Sequence, residues 1–320
     1  MKERIKEIES KLTAFRKESY MKKDVLPELF TLQEEIVSAT FNSAHAENSS
    51  LRLWDVERHL SQMNEDCGHV ADELLSSFSK QSKQFSEMIK ASISGGKGES
   101  KAYKSLQTIS RKHRLIRNIE LKSDDHRTEI DIIAVTDNTV FLIEVKNTSK
   151  NIVIDEKGNY CRVTYSGELA FDKNIGEKMN EKEYLLREVF KNVGIDNIQI
   201  KSLVVFTNSS INVTNNYEYI QECYLSQLPH IVNNAMGEYT ISDKQILKIT
   251  QAILDAQCKE AYPVEMDMNV FKTTFATLLA TLEQAKAKQS EMEELMAKKK
   301  QNPFTTFFQR LLKVACSIFN

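Results

Sequence analysis

The sequence predicts an α/β protein with a central mixed sheet between N- and C-terminal helical regions. Residues 1–93 and 271–296 carry the apolar spacing of packed helices, whereas residues 97–260 alternate strand-like and helix-like patterns. We therefore expect four segments. They are a helical hairpin or coiled-coil region over 1–94, an α/β domain over 95–260, a coiled-coil-like helix over 261–302 and an amphipathic helix over 303–320.

The composition narrows the class of protein. The chain has 320 residues, of which 41% are apolar and 28% are charged, and this is typical of a helix-rich soluble protein. The formal net charge is −2, so any nucleic-acid site must be a local basic patch. The five cysteines are scattered, which disfavours a zinc site or a disulfide framework and favours a cytoplasmic location. The charged N-terminus does not resemble a signal peptide, and no apolar run is long enough to span a membrane.

The N-terminal segment has the apolar spacing of packed helices. Its longest apolar seam, the row of apolar residues on one helix face, runs from Leu53 to Leu74 in alternating steps of three and four residues. Such a seam packs either within one chain or in an intermolecular coiled coil, and the sequence leaves both open. We expect the segment to end at Ser94–Gly98, the strongest local break in the chain.

A helix predicted to begin near Glu99 leads into a basic stretch. Between Lys97 and Lys122 there are eight Lys or Arg residues and two Glu residues. This patch could contact phosphates, or it could be a solvated helix end, because cations are favoured near helix C-termini. The candidate nucleic-acid-binding residues are Arg111, Lys112, Arg114 and Arg117.

The middle of the chain has the order of elements expected for a mixed sheet. Short apolar runs bounded by polar turns predict strands, and amphipathic stretches predict helices between and after them. The predicted strands are 115–121, two within 129–146, 151–155, 160–165 and 201–207, and the predicted helices are 174–190, 217–236 and 242–258.

The two strands within residues 129–146 carry ionisable residues inside apolar runs. Glu144 and Lys146 are two positions apart and share a strand face, and Asp131 comes near Glu144 if the strands pair. Burying such a cluster is costly, which favours a metal site or proton chemistry. The alternative is a partly exposed salt bridge between Glu144 and Lys146 on an edge strand.

Asp131, twelve residues and then Glu144-Val145-Lys146 is the D…ExK arrangement of metal-dependent nucleases. Asp131 and Glu144 offer hard oxygen ligands for Mg²⁺ or Mn²⁺, and the carbonyl of Val145 is a natural further ligand. Such a metal lowers the pKa of a bound water and screens the phosphate. Lys146 can position or deprotonate that water, or stabilise the developing negative charge. Glu129 is expected to be a supporting or surface residue.

Three stretches resemble the nuclease-related domain (NERD), a branch of the PD-(D/E)xK nuclease superfamily. They are Thr128–Asp131, Phe141–Asn147 and the G-x-x-G-E start at Gly95–Glu99. The resemblance covers roughly residues 95–230. It implies a PD-(D/E)xK-like fold, a Mg²⁺-dependent DNA endonuclease activity, and Glu99 as another acid near the metal.

The resemblance departs from the family pattern at the next helix. Asn174 matches the family's Asn-Pro, but Ile175 replaces the proline, and Glu177-Lys178 stand where the family has a glutamine. By analogy, helical appendages of this kind dimerise or bind partners, and phage defence is a common setting. The competing function is a non-catalytic nucleic-acid-binding or scaffold protein that uses a nuclease-like fold and coiled-coil oligomerisation.

The apolar pattern of the C-terminal region predicts a partner-binding helix followed by an amphipathic helix. The seam from Phe271 to Met296 keeps a strict spacing of four and three, which is typical of a coiled coil with a second copy or another protein. Residues 303–320 place a dense apolar stripe on one face. We expect this stripe to pack on another helix, with in-plane membrane contact as the less favoured alternative.

Overall fold

The computed structural model describes Ser10 and residues 26–46, 51–123, 126–195, 197–260 and 266–300. The predicted amphipathic helix at 303–320 lies outside these residues. The described helices are α1 (Leu26–Ala46), α2 (Leu53–Asp66), α3 (Asp72–Leu106), α4 (Ile175–Lys191), α5 (Leu228–Asn234), α6 (Asp243–Asp255) and α7 (Met268–Lys300). The strands are β1 (His113–Ser123), β2 (His126–Thr136), β3 (Val140–Lys146), β4 (Ile152–Ile154), β5 (Asn159–Val163), β6 (Leu169–Asn174), β7 (Ile200–Phe206), β8 (Val213–Asn215) and β9 (Gln221–Tyr224).

The chain divides into two compact units. Among the described residues, one unit falls within Met1–Leu26 and Lys90–Pro263, and the other falls within Pro27–Ile89 and Val264–Asn320. The helix α3 contributes its first half to the second unit and its last half to the first.

The first unit contains a mixed sheet. Its five strands have the order β1-β2-β3-β7-β9; the first three are antiparallel, and β7 and β9 continue in parallel from β3. A smaller sheet has the order β6-β5-β4-β8. The predicted α/β fold with a mixed sheet and flanking helices is confirmed.

Helices cover both faces of the five-stranded sheet. On one face, α4 and α6 pack residues such as Met179 and Ile249 against the strands. On the other face, Leu106 of α3 and Val232 of α5 cover residues such as Phe141. Because β3 is buried from both sides, it is apolar at nearly every position, and charged residues within it require a specific environment.

The predicted break at Ser94–Gly98, with a new helix near Glu99, is wrong. The helix α3 runs through this stretch without interruption. A Cβ on Gly98 would lie 3.0 Å from the Cβ of Asn147 and 3.5 Å from Cγ1 of Val145. The glycine therefore permits a close approach of helix to sheet, and this packing offsets its unfavourable helix propensity.

Three predictions in this region are confirmed. The hairpin predicted within residues 151–165 is that of β4 and β5, the helix predicted at 174–190 is α4, and the strand predicted at 201–207 is β7. The predicted helix at 217–236 is wrong in its first half. Gln221–Tyr224 is a strand that pairs with β7, and only Leu228–Asn234 is helical. Pairing with an open edge of the sheet overrides the helical pattern here.

The second unit is helical. Phe271 of α7 stacks on Phe78 of α3, with ring centroids 5.7 Å apart, and packs in a tilted arrangement against Phe85 of the same helix at 5.2 Å. The seam of α7 is buried at Leu278 and Leu282, whereas Met292 and Met296 are each 59% exposed. The N-terminal half of the seam therefore packs within this unit. None of the described helices is both long and apolar enough to cross a membrane.

Candidate active site

The β2–β3 hairpin brings the predicted acids together. Ile132 pairs with Ile143, so the next position on each strand is Asp131 and Glu144. At this point a carboxylate oxygen of Asp131 accepts a hydrogen bond of 2.8 Å from the backbone N–H of Val145. Opposed residues of antiparallel strands share a face and lie close together. The side chains of Asp131 and Glu144 are therefore neighbours at the end of the ladder.

Glu144 is a buried carboxylate held by two lysines. Its side chain is 8% exposed. Lys146 donates to Oε1, and Lys182 of α4 donates to Oε2. Burial alone would raise the pKa of Glu144, but Lys182 and Lys146 hold that pKa well below its usual value. Glu144 is thus ionised at neutral pH.

Lys146 is held between two acids. Burial alone would lower its pKa, but the attraction of Glu144 and Asp131 raises that pKa above the usual value. The side chain is therefore an ammonium group at neutral pH.

Glu99 lies on the helix that packs beside Val145. It is 7% exposed and follows Gly98, whose backbone approaches Val145 and Asn147. The helix α3 therefore places this acid near the end of β3.

Residues 94–207 match the family model of the nuclease-related domain. This segment is therefore similar to a nuclease-related domain. It includes Glu99, Asp131, Glu144 and Lys146, and it covers less than half of the chain. No curated protein matches the chain.

Lys182 is a residue of the matched segment that the sequence analysis missed. It is 5% exposed, and its ammonium reaches Glu144 from α4. A signal was present in the sequence: Ile175, Met179, Lys182 and Leu186 follow the 4-3-4 spacing of one helix face. A lysine on the apolar face of a helix needs a buried partner, and Glu144 is that partner.

Lys173 and Tyr160 lie beside Lys146. They are paired across β5 and β6. Burial and the nearby Lys146 ammonium lower the pKa of Lys173 to about 8. Burial raises the pKa of the Tyr160 hydroxyl to about 12. Two lysines thus pair with one buried carboxylate, and Lys173 adds a third cationic side chain beside Lys146, an arrangement suited to a phosphate group.

The lowered pKa of Lys173 predicts a pH-dependent stability. Between pH 8 and the ordinary lysine pKa of 10.5, the unfolded chain binds more protons at Lys173 than the folded chain does. Lys173 therefore makes the free energy of unfolding increase with pH over this range. We expect Lys173→Met to remove that component. Urea unfolding of both proteins at pH 7.5 and 9.5 measures it, and equal pH responses would contradict the prediction. Lys146, Glu144 and Lys178 are the charged groups that act on Lys173, and they remain in the variant.

Asn118 is a second residue that the sequence analysis missed. It falls between the pairs Arg117–Ile132 and Ile119–Ile130, so it stands opposite Asp131. Its φ of 54° is in the left-handed region, where asparagine is better tolerated than most residues. It is 6% exposed, and its Oδ1 atom has no hydrogen-bond partner among the described residues. Leaving a buried oxygen unpaired costs about 1–3 kcal/mol, so a water or an ion is its natural partner.

These oxygens fit a hard cation. The described residues contain no group of three or more His, Cys, Asp or Glu side chains arranged to hold a metal. The candidate donors are instead two carboxylates and the backbone of Val145, and Asn118 stands opposite Asp131 in the register of β1 and β2. In an antiparallel strand the N–H and C=O of one residue point the same way, so the carbonyl of Val145 faces the side of Asp131. Each oxygen of Glu144 retains a lone pair beyond its lysine bond.

Two of the four predicted basic residues, Arg111 and Lys112, lie away from this site. Arg111 pairs with Asp137 at 2.8 Å and Lys112 with Asp243 at 3.0 Å. They precede β1, at the end of the sheet where β2 turns into β3, about 20 Å from Lys146 by the length of β3. Arg114 donates to the backbone oxygen of His113, and the Arg117 guanidinium lies 5.4 Å from the ring centroid of Tyr103.

Proposed function

We propose that this protein is a metal-dependent nuclease that hydrolyses phosphodiester bonds in DNA as an endonuclease. The observation that carries the proposal is the hydrogen bond from Val145 to Asp131, which joins the acid of β2 to the Glu144-Val145-Lys146 run of β3. Burying two neighbouring carboxylates in an apolar sheet is costly. A divalent cation that binds both of them is the ordinary reason for keeping them adjacent.

Each residue has a distinct task in this proposal. Asp131, Glu144 and the carbonyl of Val145 would hold Mg²⁺ or Mn²⁺, with Asn118 beside them. The cation, when bound, supplies Lewis-acid chemistry for attack of water on the phosphorus. The Lys146 ammonium donates to phosphate oxygens as negative charge develops on them. Lys182 fixes the orientation of the Glu144 carboxylate through Oε2. Glu99 would contribute a further carboxylate, from α3, near the cation.

Cleavage of supercoiled plasmid tests this proposal. We expect nicked and linear products with Mg²⁺ or Mn²⁺, none with EDTA, and at least a hundredfold slower cleavage by Lys146→Ala, the size typical for loss of one charge-stabilising group. Lys112→Ala is the matched control, because Lys112 is also a lysine in an ion pair but lies at the other end of the sheet. Cleavage that persists in EDTA, or that survives in Lys146→Ala, would contradict the proposal.

A non-catalytic nucleic-acid-binding protein is the second candidate. The observation that favours it is the full pairing of Glu144, since both carboxylate oxygens have a lysine partner without any cation. A protein of this kind would bind DNA in the plasmid assay and leave it intact with every metal.

The helical regions suggest how the nuclease is assembled. We propose that the exposed half of α7, which includes Met292, Leu295 and Met296, pairs with a second copy or a partner protein. Bacterial phage defence in the cytoplasm is the setting that this architecture favours by analogy with the family. Sedimentation of the full chain measures the oligomeric state.

A further inference from the structure

A polar groove lies beside the candidate active site. Its volume is about 390 Å³. The residues that line it are Ser94, Lys101, Asn147, Thr148, Ser149, Thr207 and Asn208. We call it the Lys101 groove. Hydroxyl and amide groups dominate its lining, and among the described residues that line it Lys101 is the one with a charge.

The groove begins one residue from Lys146. Asn147 and Thr207 follow the last residues of the parallel strands β3 and β7, and the Thr207 N–H donates to the Lys146 carbonyl at 3.0 Å. In α/β proteins, ligands bind beyond the carboxyl ends of parallel strands. A chain-like ligand that occupies the active site can therefore continue into the groove.

The walls of the groove are fixed by hydrogen bonds. The Asn147 amide donates to the carbonyl of Ser94 at 2.9 Å, and the Thr207 hydroxyl donates to Oδ1 of Asn147 at 2.7 Å. Asn208 donates to the carbonyl of Thr148 at 3.1 Å. These bonds hold the α3 side and the loop side of the groove in place before any ligand arrives, which reduces the entropy lost on binding.

Within the predicted basic stretch, Lys101 differs from Arg111 and Lys112. Arg111 and Lys112 already have carboxylate partners. Lys101 is exposed and has no ion-pair partner in the part of the chain that the structure describes. Its ammonium is therefore available for an anion at the groove.

We propose that the Lys101 groove binds the sugar-phosphate backbone of the nucleic-acid strand that flanks the scissile phosphate. Ser, Thr and Asn side chains together with a lysine are the usual partners of phosphate and sugar oxygens, and they carry no base specificity. The inference rests on the proposed function. Within the predicted basic stretch, it moves the main phosphate contact from the four candidate residues at 111–117 to Lys101, next to the end of β3.

Binding of labelled 20-nucleotide DNA and RNA, followed by fluorescence anisotropy in Ca²⁺ over a range of salt concentrations, tests the groove. We expect Lys101→Ala to weaken binding several-fold on every sequence, and to reduce the slope of log Kd against log salt by about 0.7–0.9, the value for one lost phosphate contact. Lys104→Ala is the matched control, because Lys104 is also an exposed lysine of α3 but does not line the groove. The DNA and RNA arms show which backbone the groove accepts.

A small diester separates the groove from the chemistry. Bis(4-nitrophenyl) phosphate has no flanking nucleotides, so we expect Lys101→Ala to hydrolyse it at the rate of the unmodified protein, while the KM for DNA rises. Equal binding losses in Lys101→Ala and Lys104→Ala, no binding by the unmodified protein, or slower hydrolysis of the small diester by Lys101→Ala would each overturn the inference. A selective loss of binding in a protein that cleaves nothing would support the groove and reject the nuclease.

Discussion

Replacing Lys182 with methionine is expected to lower the free energy of unfolding by about 3 kcal/mol, the lower end of the range for removing one partner of a buried ion pair. Methionine fills a similar volume, so packing on α4 is largely kept. Glu144 is left buried with only Lys146 as a cationic partner. Urea unfolding at pH 7, monitored by circular dichroism, measures the change.

Two controls identify the cause of this loss. Lys178→Met changes an exposed lysine of the same helix and is expected to shift stability by less than about 0.5 kcal/mol. In the double variant Glu144→Gln/Lys182→Met, the charge that lacks compensation is gone, and the loss should be smaller than the sum of the two single losses. Additive losses would show that Lys182 and Glu144 do not interact energetically.

The same pair predicts an acid dependence. The folded-state pKa of Glu144 is lowered from an ordinary value of 4.5, so its ionised form stabilises the fold fully above pH 4.5. This contribution is lost as the pH falls through the lower, folded-state pKa. The stability difference between the unmodified protein and Lys182→Met is therefore expected to be constant from pH 6 to 7.5 and to shrink in acid.

Local sequence patterns were sufficient to predict the hairpin that carries Asp131 and Glu144. A charged residue within a run such as Val140–Lys146 stands out because alternation assigns every side chain to a face. The spacing of the acids then follows from the turn that joins the strands. These relations are local, so they can be derived without knowing what packs above the sheet.

Three features could not be predicted from local patterns, because they depend on contacts between distant parts of the chain. They are Lys182, Asn118 and the Lys101 groove. Lys182 reaches Glu144 across 38 positions of sequence, and only the docking of α4 on the sheet makes them partners. Asn118 gains its significance from the register of β1 against β2. The uninterrupted α3 shows the same effect, because Gly98 disfavours a helix locally and favours close packing against Val145.

Replacing Asp131 with asparagine is expected to lower the rate of DNA cleavage about a thousandfold, which corresponds to about 4 kcal/mol in activation free energy. The amide oxygen of asparagine can still accept the hydrogen bond from the Val145 N–H, so the hairpin is retained. The variant removes only the charge that would bind the cation. Single-turnover cleavage of a labelled duplex at saturating Mg²⁺ measures the rate.

A binding measurement separates the role of this charge in holding the cation from a general effect on the strand. Calorimetric titration with Mn²⁺ in the absence of DNA is expected to show binding to the unmodified protein and none to Asp131→Asn. Glu129→Gln is the matched control, because it removes one negative charge two positions away on the same strand and should leave both cleavage and Mn²⁺ binding intact. Equal losses in the two variants would point to the electrostatics of β2 as a whole, and normal cleavage by Asp131→Asn would remove Asp131 from the active site. A selective loss in Asp131→Asn is the expected result because only its carboxylate stands opposite Glu144, at the point where the β2–β3 ladder ends.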